Sequence, residues 1–289
     1  ASNVKTTGSQ SYSAAVTLGS DVTLEGEGIS ATAEINGKAN DPGYSLTVKD
    51  SGDTSLANVG ADTALSSIAI TSKSLTLSDV TTTGAQNYTT GTEGLIKTNS
   101  TYTSEGGAIT FDGAVQANDE LIVNTTGGGE DAGANVTFGL TLDSKDGEAH
   151  EVTITAGGGI IAFEGAVGAT TSLASLTINS GVTNIKGGSV TTTGAQTYSD
   201  QVNLGAATTL TAAGLSAQAI DMSTFGLTVE ETGTGQIQGI ISGASAFTKT
   251  GAGTLTLSGA NTYSGGTTVN DGTLKLGASG SVPTGAVTV

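Results

Sequence analysis

The chain has 289 residues, of which 45 are Gly and 51 are Thr, and 26 acids against nine bases give it a net charge of −17. Every base is Lys, so the Lys/Arg contacts to phosphate that dominate nucleic-acid affinity are scarce, and anionic lipid is disfavoured for the same reason. No apolar run approaches the ~18 residues of a membrane-spanning helix, and with no Cys neither disulfides nor thiolate metal sites can form.

The chain opens on Ala1-Ser2-Asn3-Val4, with neither a starting Met nor a signal peptide. The expectation is a removed leader or a piece of a longer chain. The first element is Val4-Lys5-Thr6-Thr7-Gly8-Ser9-Gln10-Ser11-Tyr12. It returns as Val80-Thr81-Thr82-Thr83-Gly84-Ala85-Gln86-Asn87-Tyr88 and as Val190-Thr191-Thr192-Thr193-Gly194-Ala195-Gln196-Thr197-Tyr198. A shorter echo is Gly259-Ala260-Asn261-Thr262-Tyr263. Tyr44-Ser45-Leu46-Thr47-Val48 opens a second family, repeated at 138–142 and 225–229. A third joins residues 106–115 to 158–167. Elements recurring in similar order at variable spacing are the mark of degenerate solenoid coils.

Between these lie short alternating runs, such as Leu75-Thr76-Leu77, Glu151-Val152-Thr153-Ile154-Thr155 and Thr254-Leu255-Thr256-Leu257. Period two with β-branched residues predicts strands with one buried face, and Gly, Asn, Asp and Ser supply the turns. Residues 208–220 are Ala-rich but hold no helical period. Aromatics are only 4%, so the core is thin and shared along a length. A strand with a thin apolar face buries it only by stacking on its neighbours. The expected fold is therefore all-β, a parallel β-helix (β-solenoid) of roughly 12 coils at about 20–25 residues each; two or three β-sandwich modules are the rival.

In the repeated motif the Gly is expected to turn a corner (Gly8, Gly84, Gly194, Gly259). The amide is expected to bond to a stacked neighbour. The ring of Tyr12, Tyr88, Tyr198 or Tyr263 is expected to cover the turn. This structural role is preferred to partner contact by exposed Tyr. Polysaccharide chemistry needs paired carboxylates, and Asp112 with Glu164, or Asp119 with Glu120, are the candidates, against a bland reading as solvated turns. Calcium wants six to eight oxygens. The acid-bearing loops are Asp50–Asp53, Gly127–Asp131 and Asp143-Ser144-Lys145-Asp146-Gly147-Glu148, with Asp143, Asp146 and Glu148 the weak candidate ligands. No cofactor other than calcium is suggested, and no catalytic residue is assigned. His150, alone, reads as a surface turn.

Residues 247–277 carry a longer signature. Lys249, Gly251, Gly253-Thr254-Leu255, Leu257-Ser258-Gly259, Asn261-Thr262-Tyr263, Gly265-Gly266-Thr267, Val269 and Gly272-Thr273-Leu274 stand in this order. This segment resembles the autotransporter-associated β-strand repeat. Residues 1–245 resemble the repeats of filamentous-haemagglutinin-type surface proteins, and 246–289 is expected to continue the same solenoid. The resemblance implies a right-handed parallel β-helix in a secreted or surface-exposed bacterial protein, a type V secretion passenger without fixed catalytic residues. Its implied function is a non-enzymatic stalk, adhesin or matrix component. The implied partners are a cell-surface or matrix receptor, or the chain itself, laterally or end to end. The alternative is a filament subunit that stacks through uncapped ends, and the least favoured is a polysaccharide-active enzyme.

Overall fold

The computed structural model describes residues 2–40, 43–127, 129 and 133–289, and among them there is no helix. Short strands pair in parallel, each with a strand about one coil away in sequence. The fold is a parallel β-solenoid. It makes about 14 turns among the described residues, more than the roughly 12 expected, because the coil is short. Leu227, Phe247, Thr267 and Val287 are register partners at steps of twenty residues. The chain forms two compact units, Ala1–Leu140 with Thr155–Gly159, and Thr141–Ile154 with Ile160–Val289.

In the first unit one coil visits three faces in turn. Ser67–Ser72 lies on the first, Ser74–Leu77 on the second and Val80–Thr82 on the third, and the chain returns to the first at Gln86–Thr90. Alternation puts Ile68, Ile70, Leu75, Leu77 and Val80 inside. Register then stacks like on like. Val48, Ile70, Tyr88, Phe111 and Phe138 form one inward column, ending in rings with centroids 5.3 and 5.1 Å apart. Tyr102 meets Tyr88 and Phe111 edge-on.

The second unit is also three-faced. One face runs Ser189–Thr191, Thr208–Ala212, Leu227–Glu231, Phe247–Thr250, Thr267–Val269 and Val287–Thr288. Its inward column, Val190, Leu210, Val229, Lys249, is aliphatic until a lysine enters it. The Ala-rich stretch is two strands, Thr208–Ala212 and Gly214–Ala217. Phe247–Thr250 and Thr254–Leu257 pair in register with Leu227–Glu231 and Thr234–Ile237, so the segment resembling the autotransporter-associated β-strand repeat continues the coils before it.

Candidate functional site

The repeated motif builds a polar clip inside the solenoid. Gln86 stands in an aliphatic column between Ile68 and Ile109 and is fully buried. Its Nε2 donates to the Val80 carbonyl of its own coil and, at 2.7 Å, to the Thr103 carbonyl of the next. Its Oε1 accepts from the Tyr88 hydroxyl at 2.9 Å. Gln196 repeats the set with Val190, Thr211 and Tyr198, as does Gln10 with Val4, Glu25 and Tyr12. The Glu25 and Thr211 carbonyls already accept the Thr6 and Thr192 N–H groups, so the amide adds a second bond between coils and gives the tyrosine hydroxyl a buried acceptor, where an unpaired group is costly. Tyr88, Tyr198 and Tyr263 are buried in the core, and Tyr12 is half-buried. Burial pushes the Tyr88 and Tyr198 phenols well above their ordinary range. At the echo, Asn261 replaces Gln: its Oδ1 accepts from Ile241 N–H and its Nδ2 donates to the Ser281 carbonyl, joining three coils.

Three of the four motif glycines need clearance, and none has a left-handed backbone. A Cβ on Gly84 would sit 2.5 Å from the Ser66 carbonyl oxygen, and one on Gly194 2.7 Å from that of Ala174. Gly259 faces the Gly239 carbonyl, whereas Gly8 has open space. Two residues before the Gly, a hydroxyl ties the corner: Thr6, Thr82 and Thr192 donate to the carbonyls of Gly8, Gly84 and Gly194. Other corners use ions at this place. Asp50 accepts from the N–H groups of Gly52, Gly28 and Ile29 and from the Thr54 hydroxyl. Burial alone would raise this carboxyl, but the four donors outweigh it and hold it below the ordinary 3.8. Glu231 accepts from Gly233 N–H at the same offset and from Leu215 N–H. Lys249, buried, donates to the Thr250 and Gly251 carbonyls at 2.6 Å. Burial lowers its ammonium, against the pull of Glu231 and Asp271.

The calcium candidates hold bonds of the same structural kind. Asp143 Oδ1 accepts from the Thr170 and Thr171 N–H groups of the next coil, and Asp146 accepts from the Thr171 hydroxyl. Glu148 pairs with Lys145 at 2.6 Å and with His150 at 2.9 Å. No group of three or more acids and histidines suited to a metal occurs among the described residues. The Asp50–Asp53 loop is the corner just described, and Glu130 and Asp131 of the Gly127–Asp131 loop lie outside the described residues.

Each carboxylate weighed for catalysis has its own surroundings. The register partner of Asp112 is Thr89, and Gly139 follows on the other side. Glu164 falls in the other unit, where Lys186 binds it at 2.6 Å. Asp119 accepts from the N–H of Glu120. A shallow groove in the first unit is lined by Lys5, Glu25 and Lys49, with Lys5 and Glu25 paired at 2.6 Å.

One recurring device escaped sequence reading. Val59-Gly60-Ala61 with Leu65 returns as Val167-Gly168-Ala169 with Leu173, one coil before Val80 and Val190 respectively. Gly60 (φ 74°) and Gly168 (φ 64°) both turn left-handed against a threonine carbonyl, of Thr81 and Thr191. The coil before caps each loop, Asn36 bonding Asp62 N–H and Asp143 bonding Thr170 N–H. Asn36 and Asp143 each follow the residue bridged to the loop valine, Ile35 and Leu142. The shared V-G-A and its offset to the V-T-T-T-G motif are the signal that finds it.

No curated protein and no solved structure gave a significant match. Residues 247–276 match the family model described as the passenger-associated-transport-repeat, the repeat of autotransporter passengers that the sequence resemblance pointed to.

Proposed function

We propose that the chain is a non-enzymatic structural segment of a secreted or surface-exposed bacterial protein, an adhesive stalk that holds a polar face out to a cell-surface or matrix receptor. The observation that carries this reading is the passenger transport repeat at 247–276, which stacks in register on the coils before it. The inward polar groups of that stack support it: they are spent on tying one coil to the next, as Gln196 and Lys249 are. Adhesion then comes from many weak contacts added along the faces, by avidity.

The test is display and removal on intact bacteria. Antibody against this chain should label unpermeabilised cells, protease shaving should abolish the label, and shaved cells should lose attachment to matrix-coated glass. Label that appears only after permeabilisation overturns the location. Hydrolysis of any member of a glycan panel by the pure chain overturns the non-enzymatic reading.

A further inference from the structure

One face of the second unit carries an ordered array of side chains that the stalk reading does not use. Ser189, Thr209, Thr228, Thr248, Thr268 and Thr288 are successive register partners on six strands, pointing outward. Two residues along, Thr191, Thr211, Glu230, Thr250 and Asn270 make a second outward column. The hydroxyls of Thr209, Thr228, Thr248 and Thr268 take no hydrogen bond among the described residues. That contrasts with Thr6, Thr82 and Thr192, whose hydroxyls close corners.

Strand spacing sets the repeat at ~4.8 Å along the column, and two residues of parallel strand set it at ~6.6 Å across. These repeats lie near the two spacings of oxygen atoms on a prism face of ice. β-Branched Thr is stiff at χ1, so each methyl and hydroxyl is held in place before anything binds. A methyl beside a hydroxyl orders a water next to it, while the hydroxyl itself joins the hydrogen-bond net. We propose that this face binds ice, presenting a pre-ordered sheet of water that freezes into register with the crystal. The chemistry favours ice over a crystalline polysaccharide, because neither column holds an aromatic ring to stack on sugar. It also favours a neutral lattice over a charged one, since Glu230 is the single charge in the two columns. That carboxylate accepts the Thr211 hydroxyl at 3.1 Å and is the one flaw in the array. The inference stands on this geometry and does not rest on the stalk reading.

The experiment uses the full chain in a single-crystal ice-growth and ice-recrystallisation assay, with circular dichroism to confirm folding. The expected result is faceted ice and suppressed recrystallisation, with partition into a slowly grown ice hemisphere. Thr228→Lys and Thr248→Lys should lose the activity, Glu230→Thr should increase it, and Thr110→Lys, on a face of the first unit, should leave it unchanged. Folded wild type that leaves ice growth unaltered overturns the proposal. So does equal activity in wild type, Thr228→Lys and Glu230→Thr, or adsorption to crystalline chitin or cellulose without any effect on ice.

Discussion

The two units use one architecture with different regularity. In the first, coil length varies: Leu46, Ile68, Gln86, Ile109 and Val136 are register partners at uneven steps. In the second, the face from 208 to 288 advances by about twenty residues every time. Uneven coils bring large rings inside, where Tyr88, Tyr102, Phe111 and Phe138 fill the space. Their outward faces are correspondingly mixed, as in Lys5, Glu25, Lys49 and Thr71. The even coils bury rings too, Phe247 against Tyr263, but on them the same outward residue type recurs at the same place. Regular coil length is what converts a Thr-rich composition into an ordered Thr face.

The largest way to break this comparison is Phe111→Ala. Phe111 touches three rings, and truncation should cost about 4 kcal/mol. Hydrogen exchange should report lost protection in Gln86–Thr90 and Ile109–Asp112, while Thr208–Ala212 and Leu227–Glu231 keep theirs, because coils depend mainly on near neighbours. Equal loss in both units would mean that they unfold as one.

Next is the corner ion. Asp50→Asn replaces two accepting oxygens by one and points an amide at N–H groups, which should cost about 3 kcal/mol. The folded carboxyl is held below 3.8, so its contribution is complete above that value and fades as pH falls through the folded value. Urea unfolding between neutral pH and pH 2 should therefore be less acid-sensitive in Asp50→Asn than in wild type. An unchanged acid slope would mean that other carboxylates dominate.

A third test asks whether the shared clip is worth the same in both settings. Gln86→Ala and Gln196→Ala each remove a bond between coils and leave a buried tyrosine hydroxyl without its acceptor, and each should cost about 2 kcal/mol. A difference of more than about 1 kcal/mol between them in chemical denaturation would tie the clip to the aromatic core of the first unit. The smallest effect expected is Glu230→Thr, within about 0.5 kcal/mol in thermal unfolding, which separates its consequence for ice from any consequence for the fold.

Sequence and fold agree where a single chemical solution recurs. Gln10, Gln86 and Gln196 always precede a Tyr by two residues, so a stacked amide was legible, although the direction of the ring was not. The Asn36 and Asp143 caps were hidden, because one is an amide and the other a carboxylate and neither lies in a repeated word. The corner ties were hidden for the same reason: Thr82, Asp50, Glu231 and Lys249 serve one kind of place with a hydroxyl, two carboxylates and an ammonium. Asp143 was thus only a weak calcium candidate beside a structural loop, and the structure gives it two N–H donors.

By itself the sequence determined that the chain is all-β, that it is built of coils, and that it has a thin aliphatic core. Period-two alternation and turn residues are local properties, and a strand apolar on one side has to stack. The transport repeat was also legible, because its glycines and Leu-x-Leu runs are contiguous. Register was left to the tertiary structure. Only pairing across about twenty residues decides which Thr stands beside which, which carboxylates meet N–H groups, and which hydroxyls are left facing water.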